Sequence, residues 1–248
     1  VTIKAAAGGG GRGISIVHEE NDLIPKMRLT QQEALNSFGS DEIYLEKFLD
    51  SPRHIEVQVL ADNFGNALHF YERDCSIQRK NQKIVEEAPA LNIPEEKKQE
   101  LFKLCTECCK KMKYKGAGTF EFLYKDEEFY FIEMNTRLQV EHTVSEMITN
   151  YDLVKLQIGI AAGEDLKIKQ KEISVRGHAI QCRINAEHPK TFIPSPGKIT
   201  EWGKPGGIGV RVDSHVYDGC VISPYYDALI AKICTQGKDR EEALCRMS

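Results

Sequence analysis

A pair of short strands near the middle of the chain constrains the fold most. Residues 117–124 and 129–135 are rich in aromatic and branched apolar residues, and the polar run Lys-Asp-Glu-Glu at 125–128 joins them. Turn residues between two strand-like runs at this spacing are typical of an antiparallel hairpin. The sequence therefore predicts a sheet with a hairpin at this point.

The register of this hairpin brings two acidic side chains together. If Lys125 pairs with Phe129, then Glu121 lies directly opposite Glu133, and opposed residues share one face of a sheet. Two like charges destabilise such a pair unless a cation lies between them, and oxygen ligands suit Mg²⁺. Asn135 points to the same side, so the three residues form a candidate metal site. A register slip of one residue would instead leave two solvated glutamates.

A glycine-rich loop lies near the start of the chain. Residues 8–13 read Gly-Gly-Gly-Gly-Arg-Gly, between β-branched runs at 1–4 and 14–17. A Rossmann loop leads from a strand into a helix, so a strand on each side favours a hairpin flap over phosphates. Backbone N–H groups could approach a triphosphate, with Lys4 and Arg12 supplying charge. A plain mobile loop is the alternative, and the absence of G-x-x-x-x-G-K-[ST] excludes the P-loop class.

Further signals predict a mixed chain of helices and strands. Thr30-Gln-Gln-Glu33 is a capping box that predicts a short helix ending at Gly39. Alternation of apolar and polar residues over 55–59 predicts a half-buried strand, turning at 62–65 into a second one.

Two more helical regions follow, and then strands return. A helix is predicted from Pro94 to about Met112, closed by Gly116. A second capping box at Thr143 predicts helical segments that run to Gly163. Strand patterns resume from residue 176.

Composition excludes several functional classes. The 37 acidic and 33 basic residues give a net charge of −4, which provides no general attraction to nucleic acid. No apolar run approaches the roughly 20 residues that span a bilayer, and no signal peptide is recognisable, so we expect an intracellular protein.

The cysteines and histidines show no metal or disulfide pattern. The eight cysteines lack framework spacing, and the one C-x-x-C, Cys105 to Cys108, lies inside the predicted helix with Leu101, Leu104 and Met112 on the same stripe. We therefore expect buried structural thiols in a reducing compartment. The seven histidines show no H-x-x-x-H pattern, which argues against zinc.

Polar residues cluster directly after the hairpin. Arg137 offers a planar fork for a small oxyanion, and Glu141 is a carboxylate that could take a proton. Over 179–187 the alternation puts Arg183 and three polar neighbours on one face, which by itself is also typical of a solvated strand. The basic run at 78–83 is expected to face solvent.

These motifs together resemble the biotin carboxylase component of biotin-dependent carboxylases, a branch of the ATP-grasp superfamily. The resemblance covers essentially the whole chain. The matching stretches are Lys4-Ala-Ala-Ala-Gly-Gly-Gly-Gly-Arg-Gly13, Tyr44-Leu-Glu-Lys-Phe48, Pro52-Arg-His-Ile-Glu56, Arg73-Asp-Cys-Ser-Ile-Gln-Arg79, Phe131-Ile-Glu-Met-Asn-Thr-Arg-Leu-Gln-Val-Glu-His142, Gly177-His-Ala-Ile-Gln-Cys-Arg-Ile-Asn-Ala-Glu187, Pro194-Ser-Pro-Gly-Lys-Ile199 and Pro224-Tyr-Tyr-Asp-Ala-Leu-Ile230.

The resemblance implies a role for each matching residue. Glu121, Glu133 and Asn135 would hold Mg²⁺ or Mn²⁺. Catalysis would involve Glu141 as the base for bicarbonate, Arg137 as its anchor, Arg183 at carboxyphosphate or the biotin enolate, and Lys83 at the phosphates. The residues implied in ATP binding are Lys4, Gly9, Gly10, Gly11, Glu46, Lys47, Leu49, His54, Gln78, Asn81 and Leu123.

The resemblance also implies an architecture and partners. The expected fold class is α+β, with an ATP-grasp fold followed by a β-rich C-terminal domain, both incomplete. The lid would occupy residues 1–48, the catalytic core 49–172 and the C-terminal domain 173–248, with the boundary in the charged stretch 167–172. The implied partners are bicarbonate, a biotin carboxyl carrier protein or domain, and a carboxyltransferase, with no nucleic acid and no membrane. We expect a cytoplasmic homo-oligomer, or one in the mitochondrial matrix of a eukaryote.

One position departs from the family pattern, and two other functions are compatible with the motifs. The family usually has histidine where this chain has Asn81, which puts a ribose or phosphate contact in question.

The alternative functions are another ATP-grasp ligase that activates a carboxylate, such as a relative of carbamoyl-phosphate synthetase, and an inactive nucleotide-binding scaffold. The chain begins without Met in a strand pattern and stops in a helical one, so we expect an excerpt of a longer polypeptide.

Overall fold

The computed structural model describes residues 1–8 and 13–248. Gly9, Gly10, Gly11 and Arg12, which were expected to contact a triphosphate, lie outside the described residues. Contacts divide the chain into two units, residues 1–52 with 78–83 and residues 53–77 with 84–248. The domain limits at 48 and 172 stay predictions.

The described residues of the first unit form a small sheet and one α-helix, which a short 3₁₀ helix (Glu20–Asp22) precedes. Its elements are β1 (Thr2–Ala5), β2 (Ile14–Ile16), α1 (Leu23–Phe38) and β3 (Ile43–Glu46). The strands lie in the order β2-β1-β3, and both pairings are antiparallel. The predicted strands on either side of the glycine loop are therefore confirmed.

The helix α1 begins earlier than the capping box predicted. Thr30 lies in its interior, where its hydroxyl donates to the carbonyl oxygen of Lys26 at 2.8 Å. Pro25 fits because it lies in the first turn, whose N–H groups have no partner inside the helix. The end at Gly39 is confirmed, since this residue has φ +75° and its N–H donates to the carbonyl of Leu35.

The remaining elements build a large sheet and its covering helices. They are β4 (Arg53–Ala61), β5 (Ala67–Arg79), β6 (Gln82–Ala88), α2 (Glu95–Met112), β7 (Gly116–Lys125), β8 (Glu128–Asn135), α3 (His142–Thr149), α4 (Leu153–Ala161), β9 (His178–Asn185), β10 (Gly197–Lys198), β11 (Val210–Ser214), β12 (Val221–Ile222), β13 (Leu229–Gly237) and α5 (Arg240–Met247). Eight strands form one sheet in the order β11-β13-β9-β6-β5-β4-β7-β8, and β10 pairs with β12. This mixed architecture with a large antiparallel sheet confirms the predicted α+β class.

Both faces of strand β4 are buried, so the prediction of a half-buried strand is wrong. Val57 and Val59 belong to the apolar core that includes Phe102 of α2, and burial of one such side chain contributes about 2 kcal/mol. Glu56 and Gln58 point to the other face and are also fully buried. The alternation of residue types was correct, but its polar side is an interior surface lined with hydrogen-bonding groups.

Helix α2 buries a slightly different stripe from the predicted one. Leu101, Phe102, Cys105 and Cys109 are buried, whereas Leu104 and Met112 are exposed. The helix ends at Lys113 (φ +54°), whose N–H donates to the carbonyl oxygens of Cys109 and Lys110; Gly116 instead starts β7. Gly116 was therefore wrongly predicted as the cap.

The expectation of buried thiols is confirmed for half of the cysteines. Four cysteines are buried: Cys75, Cys105, Cys109 and Cys234. Three others, Cys108, Cys182 and Cys220, are half-buried, and Cys245 is exposed. Burial raises the pKa of Cys105 far above its usual range and that of Cys109 to about 12, which keeps both thiols protonated.

The second capping box is also misplaced. Helix α3 begins at His142, and Thr143 is a buried residue inside it whose hydroxyl donates to Gln181 of β9. The N-cap that is formed nearby belongs to α4, where the Asp152 carboxylate accepts from the backbone N–H of Lys155 at 2.8 Å.

An ion-pair cluster attaches the last helix to the sheet. Glu87 of β6 contacts His178 Nε2 of β9 at 2.7 Å and accepts from Arg240 Nε of α5 at 2.6 Å. Although burial opposes its ionisation, these hydrogen bonds lower the pKa of Glu87 to about 2. Glu87 is therefore a structural residue of the sheet–helix junction.

None of the helices in the described ranges is long and apolar enough to cross a bilayer.

Gly177 provides a test of the fold. It has φ +68°, and a Cβ added there would lie 2.0 Å from the carbonyl oxygen of Gly237. Gly177→Ala should therefore lower the free energy of unfolding by about 3 kcal/mol, combining left-handed backbone strain with a backbone clash. Gly65→Ala is the matched control, because Gly65 has φ +88° with nothing within 4 Å of the added Cβ, and should lose only about 1 kcal/mol. Urea unfolding of both variants measures the difference; equal losses would contradict the placement of Gly177.

Candidate functional site

The hairpin formed by β7 and β8 turns more tightly than predicted. Lys125 pairs with Glu128, so the predicted pairing of Lys125 with Phe129 is wrong. The two turn residues, Asp126 and Glu127, have φ values of +52° and +60°, which matches the left-handed pair of a two-residue hairpin loop.

A bulge restores the predicted opposition of two glutamates. After Phe122 pairs with Phe131, the register shifts by the extra residue Ile132, and Glu121 then pairs with Glu133. The predicted juxtaposition is thus confirmed, but two features that the sequence did not reveal, the tight turn and the bulge, cancel each other to produce it.

Asn135 completes this acidic pair. Its Nδ2 donates to Glu121 Oε1 at 3.0 Å and to Glu133 Oε1 at 3.3 Å, so all three side chains converge on one point. The donor set, two carboxylates and one amide, suits a hard divalent cation. Half a turn of the amide would replace Nδ2 by Oδ1 as a third oxygen ligand, and the three residues therefore fit Mg²⁺ or Mn²⁺.

Glu121 also contacts residues outside the hairpin. Its Oε1 accepts from Gln139 Nε2 at 2.7 Å, and its Oε2 lies 3.1 Å from His54 Nε2. His54 was expected at the nucleotide, and the structure places its ring beside the metal candidate. Leu123, also expected at the nucleotide, pairs with His54 across β4 and β7, so the two side chains share this face.

A fully buried arginine organises the middle of the face. Arg73 opposes Glu56 in the register of β5 and β4, and Glu56 opposes Glu121 in that of β4 and β7. With Glu133, these residues form one row across four neighbouring strands. The Arg73 guanidinium donates to five side chains: Glu56 Oε1 (2.5 Å), Gln58 Oε1 (2.7 Å), Ser145 Oγ (3.0 Å), Thr119 Oγ1 (3.3 Å) and Gln139 Oε1 (3.3 Å).

Arg73 determines how Gln139 faces the metal candidate. A guanidinium only donates, so the oxygen of the Gln139 amide must face Arg73 and its nitrogen must face Glu121. Although burial opposes the charge of Arg73, the neighbouring carboxylates Glu56 and Glu141 raise its pKa, and it stays a cation.

Two of the predicted catalytic residues, Glu141 and Arg183, lie on the same polar face and contact each other. Arg183 Nη2 donates to Glu141 Oε2 at 2.8 Å, and Glu141 is only 2% exposed. Arg183 Nε donates to Glu86 Oε1 at 2.6 Å, and Glu86 also accepts from Gln181 Nε2 at 2.9 Å. Burial, opposed by Arg183, raises the pKa of Glu86 to about 7. The alternative of a solvated strand face over 179–187 is excluded at Gln181, which is fully buried.

Arg137 lies in the loop between the hairpin and α3. It is exposed, and its Nη1 donates to the carbonyl oxygen of Leu138 at 3.3 Å. Glu141 lies four residues further along the chain, so the loop carries both residues that were expected at bicarbonate.

The other predicted ATP contacts belong to the first unit. Lys4 Nζ lies 2.5 Å from Glu46 Oε2, so the structure brings two of them together as an ion pair. Lys47 is exposed and Leu49 half-buried; Gln78 and Lys83 are half-buried residues of the strands that flank the β5–β6 turn. Asn81 is exposed in that turn with φ +61°, a backbone conformation that asparagine adopts readily. The expected solvent exposure of this basic run is confirmed at its tip.

Sequence reasoning missed several residues of the face. They are Glu56, Gln58, Arg73, Glu86, Gln139 and Ser145. Glu56 and Gln58 were visible as the polar side of an alternating strand, but they were assigned to solvent. Glu86 lies in β6, for which no strand was predicted, and its signal was a carboxylate in the apolar neighbourhood of Ile84 and Val85.

Two family models match this chain. The model of the carbamoyl-phosphate synthase L chain ATP-binding domain matches residues 1–169, and that of the biotin carboxylase C-terminal domain matches residues 181–248.

Curated relatives match along the whole chain. It is 58% identical over 247 residues to a biotin carboxylase of Pseudomonas aeruginosa, covering 100% of this chain and 55% of the relative. It is 52% identical to a pyruvate carboxylase component of Methanothermobacter thermautotrophicus, covering 100% of this chain and 50% of that protein. The chain thus spans about half the length of these relatives.

Solved structures agree with this similarity. A biotin carboxylase from Campylobacter jejuni in a β-γ-ATP complex is 48% identical with a TM-score of 0.96, covering 99% of this chain and 55% of that one. The biotin carboxylase domain dimer of 2-oxoglutarate carboxylase from Hydrogenobacter thermophilus, in complex with MgADP, ADP and bicarbonate, is 49% identical with the same TM-score and coverage.

The buried guanidinium predicts a large stability effect. Arg73→Met should lower the free energy of unfolding by about 3–5 kcal/mol, because it removes the fully buried cation that donates to Glu56 at 2.5 Å. Arg53→Met is the control, since the Arg53–Asp74 ion pair (2.7 Å) is partly exposed and should contribute at most about 1 kcal/mol. Denaturant titration compares the two; a loss at Arg73 no larger than that at Arg53 would show that the network is not formed.

The acidic hairpin predicts divalent metal binding. Glu133→Gln should weaken the affinity for Mg²⁺ or Mn²⁺ by roughly tenfold or more, because it removes one charged oxygen ligand. Glu128→Gln is the matched control on the same strand, since Glu128 is exposed and pairs with Lys97. Calorimetric titration of the purified protein with each ion measures this directly. Equal affinities of the two variants would rule out Glu133 as a ligand.

Proposed function

The chain belongs to the biotin carboxylases of the ATP-grasp superfamily, and we propose that the protein containing it carboxylates biotin on a carrier, using ATP and bicarbonate. The observation that carries this proposal is the polar face of the large sheet. There, a two-glutamate metal candidate and a buried carboxylate–arginine pair, Glu141 with Arg183, lie on the same protein surface. The metal candidate supports binding of a divalent cation with ATP. The Glu141–Arg183 pair supports removal of a proton from a small acid such as bicarbonate.

The proposed reaction has two stages. A bicarbonate oxygen attacks the γ-phosphorus of ATP, the bond to the β–γ bridging oxygen breaks, and ADP leaves with carboxyphosphate remaining. Carboxyphosphate then breaks down to CO₂ and phosphate. The released phosphate takes the proton from a ureido nitrogen of biotin, and that nitrogen bonds to the carbon of CO₂. The similarity to a domain solved with MgADP and bicarbonate supports this choice of substrates.

Glu141 is proposed as the base that takes the bicarbonate proton. Its carboxyl group is almost fully buried and accepts a hydrogen bond from Arg183 at 2.8 Å, so it is already removed from bulk water before a substrate arrives. Arg137, four residues earlier, is exposed and can offer its planar fork to the anion. Arg183 is proposed to stabilise the negative charge of carboxyphosphate or of the biotin enolate.

Glu121, Glu133 and Asn135 are proposed as the ligands of Mg²⁺, with Mn²⁺ as a substitute. The bound cation would neutralise the phosphate charge that develops during transfer. The first unit is proposed to bind the nucleotide through its ion-paired Lys4 and Glu46, the backbone at Lys47 and Leu49, and Gln78 with Lys83. For His54 and Leu123, a contact with the nucleotide is proposed from the family resemblance.

The further partners are proposed from the relatives. They are a biotin carboxyl carrier protein or domain, a carboxyltransferase and a second copy of the same chain, since one neighbour was solved as a domain dimer. The final acyl acceptor is left open between the substrates of related carboxylases, one of which is a pyruvate carboxylase. We place the protein in the cytoplasm, or in the mitochondrial matrix of a eukaryote.

Two competing functions are weaker. A carbamoyl-phosphate synthetase relative would share the ATP-binding domain of residues 1–169, but the biotin carboxylase C-terminal match, which includes Arg183, favours biotin. An inactive scaffold is less well supported, because the buried carboxyl groups of Glu121 and Glu141 lie on one face with the metal candidate and Arg183.

The function is tested by steady-state ATP cleavage in the full-length protein, with bicarbonate and free biotin varied. Glu141→Gln should leave nucleotide and metal binding nearly intact while kcat falls by roughly 10²- to 10⁴-fold, the usual range for a lost general base. Glu133→Gln is the comparison, because loss of a metal ligand should weaken nucleotide affinity and be partly rescued at high Mg²⁺. Substitution of Arg137 should raise the bicarbonate KM.

Three outcomes would count against this proposal. ATP cleavage that does not depend on bicarbonate would favour another ligase, and no cleavage at all would favour the scaffold. If Glu141→Gln lost nucleotide binding as badly as Glu133→Gln, Glu141 would be part of the metal surroundings and not the base.

A further inference from the structure

Arg183 is held by two buried carboxylates instead of one. Its Nη2 donates to Glu141 and its Nε donates to Glu86. Two nitrogens of one planar guanidinium therefore each bind a different carboxyl group. Glu86 is fully buried, and the Arg183 side chain keeps 19% of its exposure. The exposed remainder of Arg183 is the part that can meet a ligand.

Glu86 is itself fixed by a chain of hydrogen bonds. The Thr143 hydroxyl of α3 donates to Gln181 Oε1, which turns Gln181 Nε2 toward Glu86 Oε2 at 2.9 Å. In the register of the sheet, Glu86 of β6 opposes Gln181 of β9, and Arg183 lies two residues further on the same face. Backbone pairing and side-chain contacts therefore agree on the position of the Glu86 carboxylate.

We propose that Glu86 is a positioning residue of the carboxylation reaction, which holds Arg183 in its working orientation and shares its charge with Glu141. This inference rests on the proposed function, because it assigns Glu86 to the roles proposed there for Arg183 and Glu141. Glu86 acts through Arg183 and does not contact the substrate.

The electrostatic part follows from the sharing of one guanidinium by two carboxyl groups. Arg183 donates to both Glu86 and Glu141, so Glu141 is held less tightly than it would be as the sole acceptor. The Glu141 carboxylate can then exchange its arginine contact for a substrate proton. Arg73, Glu56 and Cys75 also surround Glu141, so the local charge is set by the whole face.

The neighbouring glutamate provides a matched control. Glu87 is the next residue of the same strand, points to the opposite face, and also contacts two basic side chains, His178 and Arg240. Glu87→Gln therefore breaks an ion-pair cluster of similar kind without touching Arg183. It should reduce stability and leave kcat unchanged.

The test is steady-state bicarbonate-dependent ATP cleavage with free biotin, in the full-length protein. Glu86→Gln should lower kcat by roughly 10- to 100-fold, the usual loss when an orienting partner is removed, with the KM for ATP and the Mg²⁺ requirement unchanged. Glu86→Asp keeps the charge but withdraws the carboxylate by one methylene, so its kcat should lie between those of the wild type and Glu86→Gln.

Several results would overturn the proposal. They are a wild-type kcat in Glu86→Gln, a wild-type kcat in Glu86→Asp, or an equal fall of kcat in Glu87→Gln. The Glu86→Asp result decides the matter even if Glu86→Gln does not fold. A wild-type protein without bicarbonate-dependent cleavage would overturn the proposed function, and this inference with it, whereas an active enzyme insensitive to Glu86 would overturn the inference alone.

Discussion

The buried guanidinium of Arg73 is the interaction on which the polar side of this molecule depends. Transfer of an isolated cation into a protein interior costs several kcal/mol, and only a complete set of acceptors offsets that cost. Arg73 has such a set, drawn from β4, β7, α3 and the loop before α3. All the hydrogen bonds of Arg73 can form only when those elements adopt one relative arrangement. Arg73 therefore favours that arrangement over alternatives as well as stabilising the fold.

The two faces of the large sheet differ in composition: one is an apolar packing surface, and the other carries the charged residues of the candidate site. One face buries Val57, Phe120 and Phe122 against helix α2, and this apolar contact is tolerant of volume-conserving changes. The other face carries the row that runs from Arg73 through Glu56 and Glu121 to Glu133. Cations and carboxylates share partners along this face, so each charge depends on its neighbours. Substitutions there should be non-additive, while those on the α2 face should be nearly additive.

The sequence predicted which residue types come together better than it predicted how the chain brings them together. The opposition of Glu121 and Glu133 was predicted from period-two alternation, whereas the tight turn at Asp126 and the bulge at Ile132 were not predicted. Each moves the register by one residue, and the two shifts cancel at Glu121 and Glu133. Capping boxes at Thr30 and Thr143 failed because tertiary contacts of those hydroxyls, with Ser15 and Gln181, outweigh the local capping bond.

The larger omissions share one physical cause. The polar residues of an alternating strand are assigned to solvent unless the sequence shows that other residues cover that face of the sheet. Nothing in the sequence around Glu56 and Gln58 shows this. The roles proposed for Glu141 and Arg183 came from the family resemblance. In the sequence, a single carboxylate and a single arginine have no spacing that distinguishes catalysis from a solvated surface. Their contact at 2.8 Å, and the presence of Glu86 beside them, required the three-dimensional pairing of β6 with β9.

Two amides at the metal candidate show how the same face can be both rigid and adaptable. Gln139 is locked, because the donor-only guanidinium of Arg73 fixes its oxygen and leaves its nitrogen for Glu121. Asn135 instead directs its nitrogen to two carboxylates. A cation arriving between Glu121 and Glu133 removes the reason for that orientation, and it attracts the amide oxygen. Asn135 can therefore turn while Gln139 keeps Glu121 in place, so ion binding requires the rotation of one small side chain and no rearrangement of the buried network.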